Sequence, residues 1–364
     1  MKEIRKRDSN IELLRLVAMV MVVLMHYLSK SENLIAPLEP LSASKVIGSF
    51  LESLSLVAVN VYIFISGYYG SISEFKYSKA IKLLCQIWFY AFSMLGMVAL
   101  FKKPTVASEG IHGLVKYVFP IESEHYWFAT SFLILYLLTP VLNHAIRSLS
   151  QKEIKLVLAG LLLFFCGIKS ISPVPLAIDK YGYDLPWFIC VYLLAGYLHK
   201  YGCSFLEKNR FHGLWLYLGC SGFGYGLQFM MYGLTKLNLS FAYYFTVPYH
   251  YNFVGTLLGA VGLFYFAKGI RIPEGKGADL LRKIGPLSFG IYLLHEQIDV
   301  RNLWYPTLTK LVNPKGYDNF FFFTAELWVS IILICGLGLA VDLLRDFLFR
   351  FVTELFAKKG ETRE

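Results

Sequence analysis

The first long apolar stretch of the chain, residues 11–29, carries three ionisable side chains: Glu12, Arg15 and His26. Glu12 and Arg15 are three residues apart, so on a helix they are neighbours that can form an ion pair. Arg15 and His26 are eleven residues apart, which on a helix is roughly three turns plus 20° and about 16 Å along the axis. The spacing therefore predicts a cation and a histidine on one helix face at two depths.

These residue types suit the transfer of a group from an anionic donor to a hydroxyl. Arginine makes bidentate, permanently charged contacts with phosphates, so Arg15 is the candidate donor-binding residue. Histidine can act as a general base on a hydroxyl, so His26 is the candidate catalytic base, oriented by Glu12 or another buried acid. The alternative is structural: Glu12 and Arg15 form an interfacial ion pair, and His26 is a helix-packing residue.

The composition indicates which elements position these residues. Of 364 residues, 56% are hydrophobic and only 16% are charged, whereas soluble domains carry roughly 25% charged residues. No strand alternation occurs, and ten stretches are candidate membrane-spanning helices. They are residues 11–29, 46–70, 81–101, 126–146, 154–172, 186–200, 212–234, 249–269, 284–300 and 321–344. We therefore expect an all-α integral membrane protein with a single polytopic domain over residues 1–364, of which 357–364 form a disordered tail.

The distribution of Lys and Arg predicts how the chain is oriented. The termini and the loops on their side of the membrane hold 23 of these residues, and the opposite loops hold 11. The positive-inside rule then places both termini in the cytoplasm, together with the loop from Arg271 to Lys283. The loop from Lys102 to Glu124 becomes the longest outer loop. Because the basic residues punctuate apolar segments, the net charge of +10 does not indicate a nucleic-acid partner.

Other chemical motifs are missing from the sequence. The six cysteines form no Cys-x-x-Cys pair, and no two histidines have metal-ligand spacing on one helix face. No phosphate-binding loop or dinucleotide motif occurs. We therefore predict no disulfide framework, no metal and no tightly bound cofactor. The glycine pairs Gly222–Gly226 and Gly255–Gly259 are interpreted as helix-packing contacts.

Several motifs, in chain order, resemble the acyltransferase-3 family of membrane-bound acyltransferases. The most specific is the segment from Arg7 to Arg15 followed by ten residues and His26. The others are Phe64-Ile-Ser66-Gly67-Tyr68, His125-Tyr-Trp127-Phe128 with Leu135 to Pro140, and Ser288-Phe-Gly-Ile-Tyr292-Leu-Leu-His295. By the motif match, His26 is the catalytic histidine and Arg15 the donor-binding residue, and Glu12 falls where the family commonly has an acidic residue.

The resemblance also implies a fold and a reaction. It implies ten helices with cytoplasmic termini, and acyl-CoA, usually acetyl-CoA, as a cytoplasmic co-substrate. Because the family modifies surface polysaccharides, lipopolysaccharide, peptidoglycan and some small molecules, it implies a glycan or lipid-linked saccharide acceptor at the outer face. The expected location is the cell membrane of a bacterium, as a multi-pass protein.

Four further residues are candidates for an acceptor or oxyanion site: Ser66, His125, Trp127 and His295. Each also has a structural alternative. Ser66 with Gly67 would let two helices approach closely, and Trp127 would anchor the helix at the membrane interface. His125 and His295 would make polar contacts at helix ends.

Intramembrane Arg15 and His26 would also fit a polysaccharide flippase or secondary transporter without covalent chemistry. Such transporters often have repeated halves with broken helices, and no repeat is found here. An inactive, scaffold-like relative is a third alternative. The acyltransferase interpretation is favoured because it accounts for both the spacing and the motif order.

Overall fold

A computed structural model describes residues 6–101, 109–121, 125–177, 179–315 and 319–361. These residues form helices joined by short connections, with no strand among them. The helices are α1 (Ser9–Ser31), α2 (Ala43–Ser55), α3 (Val57–Gly70), α4 (Tyr77–Phe101), α5 (Ile111–Val118), α6 (Trp127–Ser148), α7 (Gln151–Leu162), α8 (Ile168–Ile171), α9 (Leu185–Tyr201), α10 (Ser204–Lys208), α11 (Arg210–Leu237), α12 (Ala242–Thr246), α13 (Val254–Lys268), α14 (Lys276–Ile284), α15 (Ser288–His295), α16 (Trp304–Val312) and α17 (Phe320–Glu361). The expected all-α class is confirmed for the part of the chain that the structure describes.

Five helical segments within these residues are long and apolar enough to cross a bilayer. They are Ser9–Ser31, Ala43–Gly70, Trp127–Ser148, Gln151–Ile171 and Phe320–Leu355. Five such segments make the chain a multi-pass membrane protein. The larger number of ten spans stays a prediction.

Two predicted spans differ in shape from a single continuous helix. The stretch 46–70 is divided between α2 and α3, which meet at Leu56. The stretch 284–300 contains a 3-10 turn at Gly285–Leu287, the eight-residue α15 and then turns. Eight residues rise only about 12 Å, so α15 cannot cross a bilayer by itself.

Two segments that were predicted to lie outside the helices are partly helical. Within the stretch from Lys102 to Glu124, residues 102–108 and 122–124 lie outside the described residues, and α5 occupies part of the rest. At the other end of the chain, α17 continues to Glu361. Five of the residues expected in a disordered tail are therefore helical, whereas residues 362–364 lie outside the described residues.

The first helix lies inside the bundle. It packs against α2, α3, α15 and α17, so its ionisable residues face protein. Glu12 is 1% exposed. This placement fits the rule that charged side chains in a membrane helix face the interior, where partners replace water. The backbone carbonyl of Asp8 starts the helix by accepting from the amides of Ile11 and Glu12.

Glycines allow close helix contacts at some of the predicted positions and at others. The predicted role of Gly255–Gly259 is confirmed at Gly259, where an added Cβ would lie 3.1 Å from Cγ1 of Val57 in α3. A Cβ at Gly67 of α3 would lie 2.7 Å from the carbonyl oxygen of Tyr192, so α3 and α9 are in backbone contact there. Gly213 and Gly262 bring α11 and α13 together in the same way. The predicted packing role of Gly222 and Gly226 is wrong, because an added Cβ at either position meets no atom within 4 Å.

Candidate active site

The structure places the ionisable residues of α1 near its two ends. Near the N-terminus, Arg15 forms an ion pair with Glu12, and Arg7 contacts the same carboxylate at 3.2 Å. His26 lies eleven residues further on, about 16 Å along the axis. Glu12 is fourteen residues and about 21 Å from His26, so it cannot orient that ring by contact. The structure contradicts the expected contact, and Glu12 positions Arg15 instead.

Arg15 borders two adjoining cavities, of about 320 Å³ and about 430 Å³. Its side chain is 24% exposed, so the guanidinium has access to this space. In the larger cavity the cations outnumber the acids, with Lys6, Arg7, Arg15 and Lys79 facing Asp8 and Glu12. An excess of cations around a site of this size suits an anionic ligand such as a nucleotide phosphate.

At the other end of α1, His26 meets His295 at the end of α15. Nδ1 of His26 lies 2.8 Å from Nε2 of His295, which is the length of a hydrogen bond. His295 is completely buried, whereas 26% of the His26 side chain is exposed. Of the sequence candidates, the structure thus brings His295 into direct contact with the proposed base.

The hydrogen bonds of this pair determine where the protons lie. Nδ1 of His295 is 2.6 Å from the carbonyl oxygen of Ile291, and a carbonyl can only accept, so this Nδ1 carries a proton. Neutral His295 then accepts at Nε2, and the donor is Nδ1–H of His26. Nε2 of His26 is left with a lone pair. The contacts therefore hold His26 in the tautomer that a general base requires.

A carboxylate completes the cluster. Oε1 of Glu296 lies 3.4 Å from Nδ1 of His26, where it can stabilise the imidazolium formed when the base takes a proton.

Ligand atoms of His26, His295 and Glu296 lie within 4.8 Å of one another, a set that could hold a metal ion. Two imidazole nitrogens on one zinc would be about 3.3 Å apart. The observed 2.8 Å instead fits a hydrogen-bonded pair.

A narrow apolar cavity of about 30 Å³ lies beside His26. Its other lining residues are Met19, Val22, Val59, Tyr62, Trp127, Phe128, Tyr251, Phe289 and Tyr292. Tyr62 lies one helical turn from Ser66, and Phe128 lies one turn from Phe132 and stacks on it. Ser66 and Phe132 border the 320 Å³ cavity of Arg15. The two cavities therefore follow one another along α3 and α6, with the first beside Arg15 and the second beside His26.

The other candidates have different surroundings. Both ring nitrogens of His125 are engaged, since Nδ1 lies 3.2 Å from the carbonyl oxygen of Lys116 and Nε2 accepts from the amide of Ile298. Burial lowers the pKa of His125 to about 4, so the ring is neutral and makes structural contacts. The hydroxyl of Ser66 donates to the carbonyl of Tyr62. Ser66 borders the Arg15 cavity rather than the His26 cavity.

Trp127 belongs to an aromatic wall at the His26 end. Its ring lies 4.7 Å from that of Tyr183, which in turn lies 4.6 Å from that of Tyr251. Tyr183 is 46% exposed. The loop that carries it is held by a buried ion pair between Lys169 and Asp179, 3.0 Å apart. The ion pair thus holds the loop of this aromatic wall in place, and the ring of Tyr183 is accessible to a ligand.

A comparison with protein families identifies the family of the chain. The model of the acyltransferase-3 family, described as an acyltransferase domain, matches residues 8–343. The chain belongs to the acyltransferase-3 family. No curated protein and no solved structure matches it. The protein is therefore a membrane acyltransferase, and the matched residues include both Arg15 and His26.

Two tyrosines of this acyltransferase were missed by the sequence analysis. The hydroxyl of Tyr62 donates to the carbonyl of Arg15 at 2.6 Å, and Tyr292 borders the His26 cavity. Helical spacing offered a signal for each, because Tyr62 lies four residues before Ser66 and Tyr292 three residues before His295. Spacing alone does not show that these helices face α1.

Proposed function

We propose that this acyltransferase moves an acyl group, most simply acetyl, from cytoplasmic acyl-CoA to a hydroxyl of a glycan or lipid-linked saccharide at the outer face. One observation carries the proposal: a histidine held in its basic tautomer lies beside an apolar cavity near one end of α1, and a cation-rich cavity lies near the other end. The cations suit the phosphates of CoA, and the apolar cavity beside His26 suits the acyl group.

The reaction follows from the free nitrogen of His26. Nε2 removes the proton of the acceptor hydroxyl as its oxygen attacks the thioester carbonyl carbon. The carbon–sulfur bond then breaks, and the CoA thiolate takes the proton from the imidazolium. During this step His295 keeps the ring in position, and Glu296 at 3.4 Å offsets the positive charge. No acyl-enzyme intermediate is required.

The surroundings of the aromatic wall support a saccharide acceptor. Sugar rings present C–H faces that pack on aromatic rings, and Trp127, Tyr183 and Tyr251 offer such rings beside His26. The carboxyl group of Glu52 lies near Tyr183 and Tyr251. It has no hydrogen bond or ion pair with another described side chain, so it is available to hydrogen-bond with sugar hydroxyls.

The orientation of the bundle is part of the proposal. Arg282 of α14 donates to the carbonyl of Arg7 at 2.9 Å, so the loop from Arg271 to Lys283 lies at the same end of the bundle as the N-terminal segment. The positive-inside rule assigns this end to the cytoplasm. The His26 end then faces outward. The proposed arrangement has ten spans in a bacterial plasma membrane.

The test is acyl transfer by purified protein in liposomes supplied with labelled acetyl-CoA, combined with mass spectrometry of surface glycans from a deletion strain. His26→Ala should abolish transfer. His295→Ala should lower kcat about 100-fold or more because the tautomer is no longer held. His295→Gln, which offers a side-chain carbonyl to Nδ1–H of His26, should recover part of the loss.

The matched control is His144→Ala. This histidine is exposed and borders none of the cavities described above, so its replacement should leave turnover unchanged. Near-normal transfer by folded His26→Ala would remove the base from the mechanism. Unchanged glycans in the deletion strain, with no turnover by the wild-type protein, would refute the acyl-CoA reaction as a whole.

A further inference from the structure

The hydroxyl of Tyr292 is buried without a completed hydrogen bond in the described part of the chain. The residue is 5% exposed and borders the cavity that contains His26. Its ring meets that of His295 edge-on, with 6.2 Å between the centroids. Burying an unpaired hydroxyl is unfavourable, and such groups in native structures usually have a functional reason.

A helix N-terminus lies at the same place. The first-turn amides of Phe128 and Ala129 in α6 lie beside the Tyr292 hydroxyl. The N-cap residue Tyr126 does not cap these amides with its side chain, because its hydroxyl donates to the carbonyl of Leu293. The first amides of a helix have no partner within the helix, and this end carries partial positive charge. The 22 residues of α6 give that end a full helix dipole.

Two other polar side chains near His26 are already engaged. The Tyr62 hydroxyl donates to the carbonyl of Arg15. His295 uses Nδ1 toward Ile291 and Nε2 toward His26, so neither nitrogen can donate to a substrate. Tyr292 is thus a side-chain donor that remains for a substrate oxygen in this cavity, and its hydroxyl is the one beside the first-turn amides of α6.

We propose that the Tyr292 hydroxyl, together with the first-turn amides of α6, binds the carbonyl oxygen of the acyl donor as an oxyanion site. The proposal rests on the proposed function. When the acceptor oxygen attacks the carbonyl carbon, the electron pair of the C=O bond moves to this oxygen, and the acceptor proton goes to Nε2 of His26. When the electron pair returns, the carbon–sulfur bond breaks and the thiolate leaves with that proton. Tyr292 keeps its own proton throughout and only donates a hydrogen bond.

Tyr292→Phe tests this assignment because it removes only the oxygen. Loss of one oxyanion donor lowers kcat by about 100- to 1,000-fold. The KM for acetyl-CoA should stay within about twofold, since the donor acts mainly in the transition state. The melting temperature of the purified protein should stay equal or rise, because an unpaired buried hydroxyl has been removed.

Tyr265→Phe is the matched control. Tyr265 is 2% exposed and its hydroxyl likewise has no hydrogen-bond partner, but it does not border the His26 cavity. This variant should match the wild type in kcat.

Equal kcat for Tyr292→Phe and wild type would overturn the assignment while leaving the acyltransferase function intact. A raised KM at unchanged kcat would overturn it too, as would a fall in melting temperature that accounts for the lost activity. Absence of turnover in the wild type would instead refute the function itself.

Discussion

His26 acquires its chemical state from a residue 269 positions away. An isolated histidine in water exchanges freely between its two tautomers. Here a chain of contacts from the Ile291 carbonyl through His295 leaves only one arrangement of protons. The same contacts exclude a role for His295 as base or oxyanion donor. At the scale of single residues, the proposed site therefore consists of one base, one positioning histidine and one carboxylate, Glu296, with Tyr292 as the proposed oxyanion donor.

Arg15 is expected to bind the phosphates of acyl-CoA. Arg15→Ala should weaken acetyl-CoA binding by about ten- to a hundredfold, since a hydrogen bond to a charged group contributes about 1.5–3 kcal/mol. Arg15→Lys should have a smaller effect, because lysine keeps the charge but lacks the bidentate geometry. Calorimetric titration of monodisperse protein measures both. The control, Arg210→Ala, removes an exposed guanidinium outside the Arg15 cavities.

The competing interpretation assigns Arg15 only to its ion pair with Glu12. In that case Arg15→Ala would lower the stability of the fold, while the protein that remains folded would bind acetyl-CoA as tightly as the wild type. Unchanged affinity in a well-folded Arg15→Ala protein would leave only this structural role.

At the scale of elements, α1 separates the cavities beside Arg15 from the cavity beside His26. It can do so because α2, α3, α15 and α17 surround it and shield its polar residues from lipid. The short α15 is equally important. Its end at His295 presents the ring to His26, and the chain turns away at Glu296, which brings a carboxylate to the same place.

The contact between α3 and α9 should tolerate no side chain at Gly67. A Cβ there would lie 2.7 Å from the Tyr192 carbonyl oxygen and 2.9 Å from Cβ of Ala195, and backbone atoms cannot move aside cheaply. Gly67→Ala should therefore destabilise the protein by about 1–3 kcal/mol. Gly222→Ala is the control: it meets no atom within 4 Å and should be neutral or stabilising, because alanine favours the helix. Thermal unfolding in detergent compares them, and equal midpoints would contradict the packing argument.

At the scale of the whole molecule, the two terminal regions lie at the same end as Arg15. The segment around Arg7 contacts Arg282. A further cavity that includes Lys79 and Arg345 joins the C-terminal part of α17 to the Arg15 side. Both terminal regions thus share one end of the bundle. The proposed function needs this asymmetry, because it places a charged CoA donor and an outward-facing acceptor at opposite ends.

This arrangement predicts that the α14 region is cytoplasmic. In a cysteine-free background, Lys276→Cys should resist an impermeant thiol reagent in sealed cells and react once the membrane is opened. Val174→Cys, at a position that is 59% exposed and predicted to lie on the outer side, should react in sealed cells. Labelling with the opposite pattern would reverse the orientation, and with it the proposed sides of donor and acceptor.

Much of this protein follows from its sequence alone. Apolar stretches and the shortage of charge determine an all-α membrane protein, because a backbone in lipid must satisfy its own hydrogen bonds. The spacing of Arg15 and His26 determines their separation along one helix, since helix geometry is the same everywhere. Only the tertiary structure decided which residues of other helices contact Arg15 and His26. Helical spacing shows which side chains share a face, but not which helix that face packs against. The partner of His26 is therefore His295 with Glu296 rather than Glu12, and the unpaired hydroxyl of Tyr292 becomes visible only once α6 and α15 are placed beside α1.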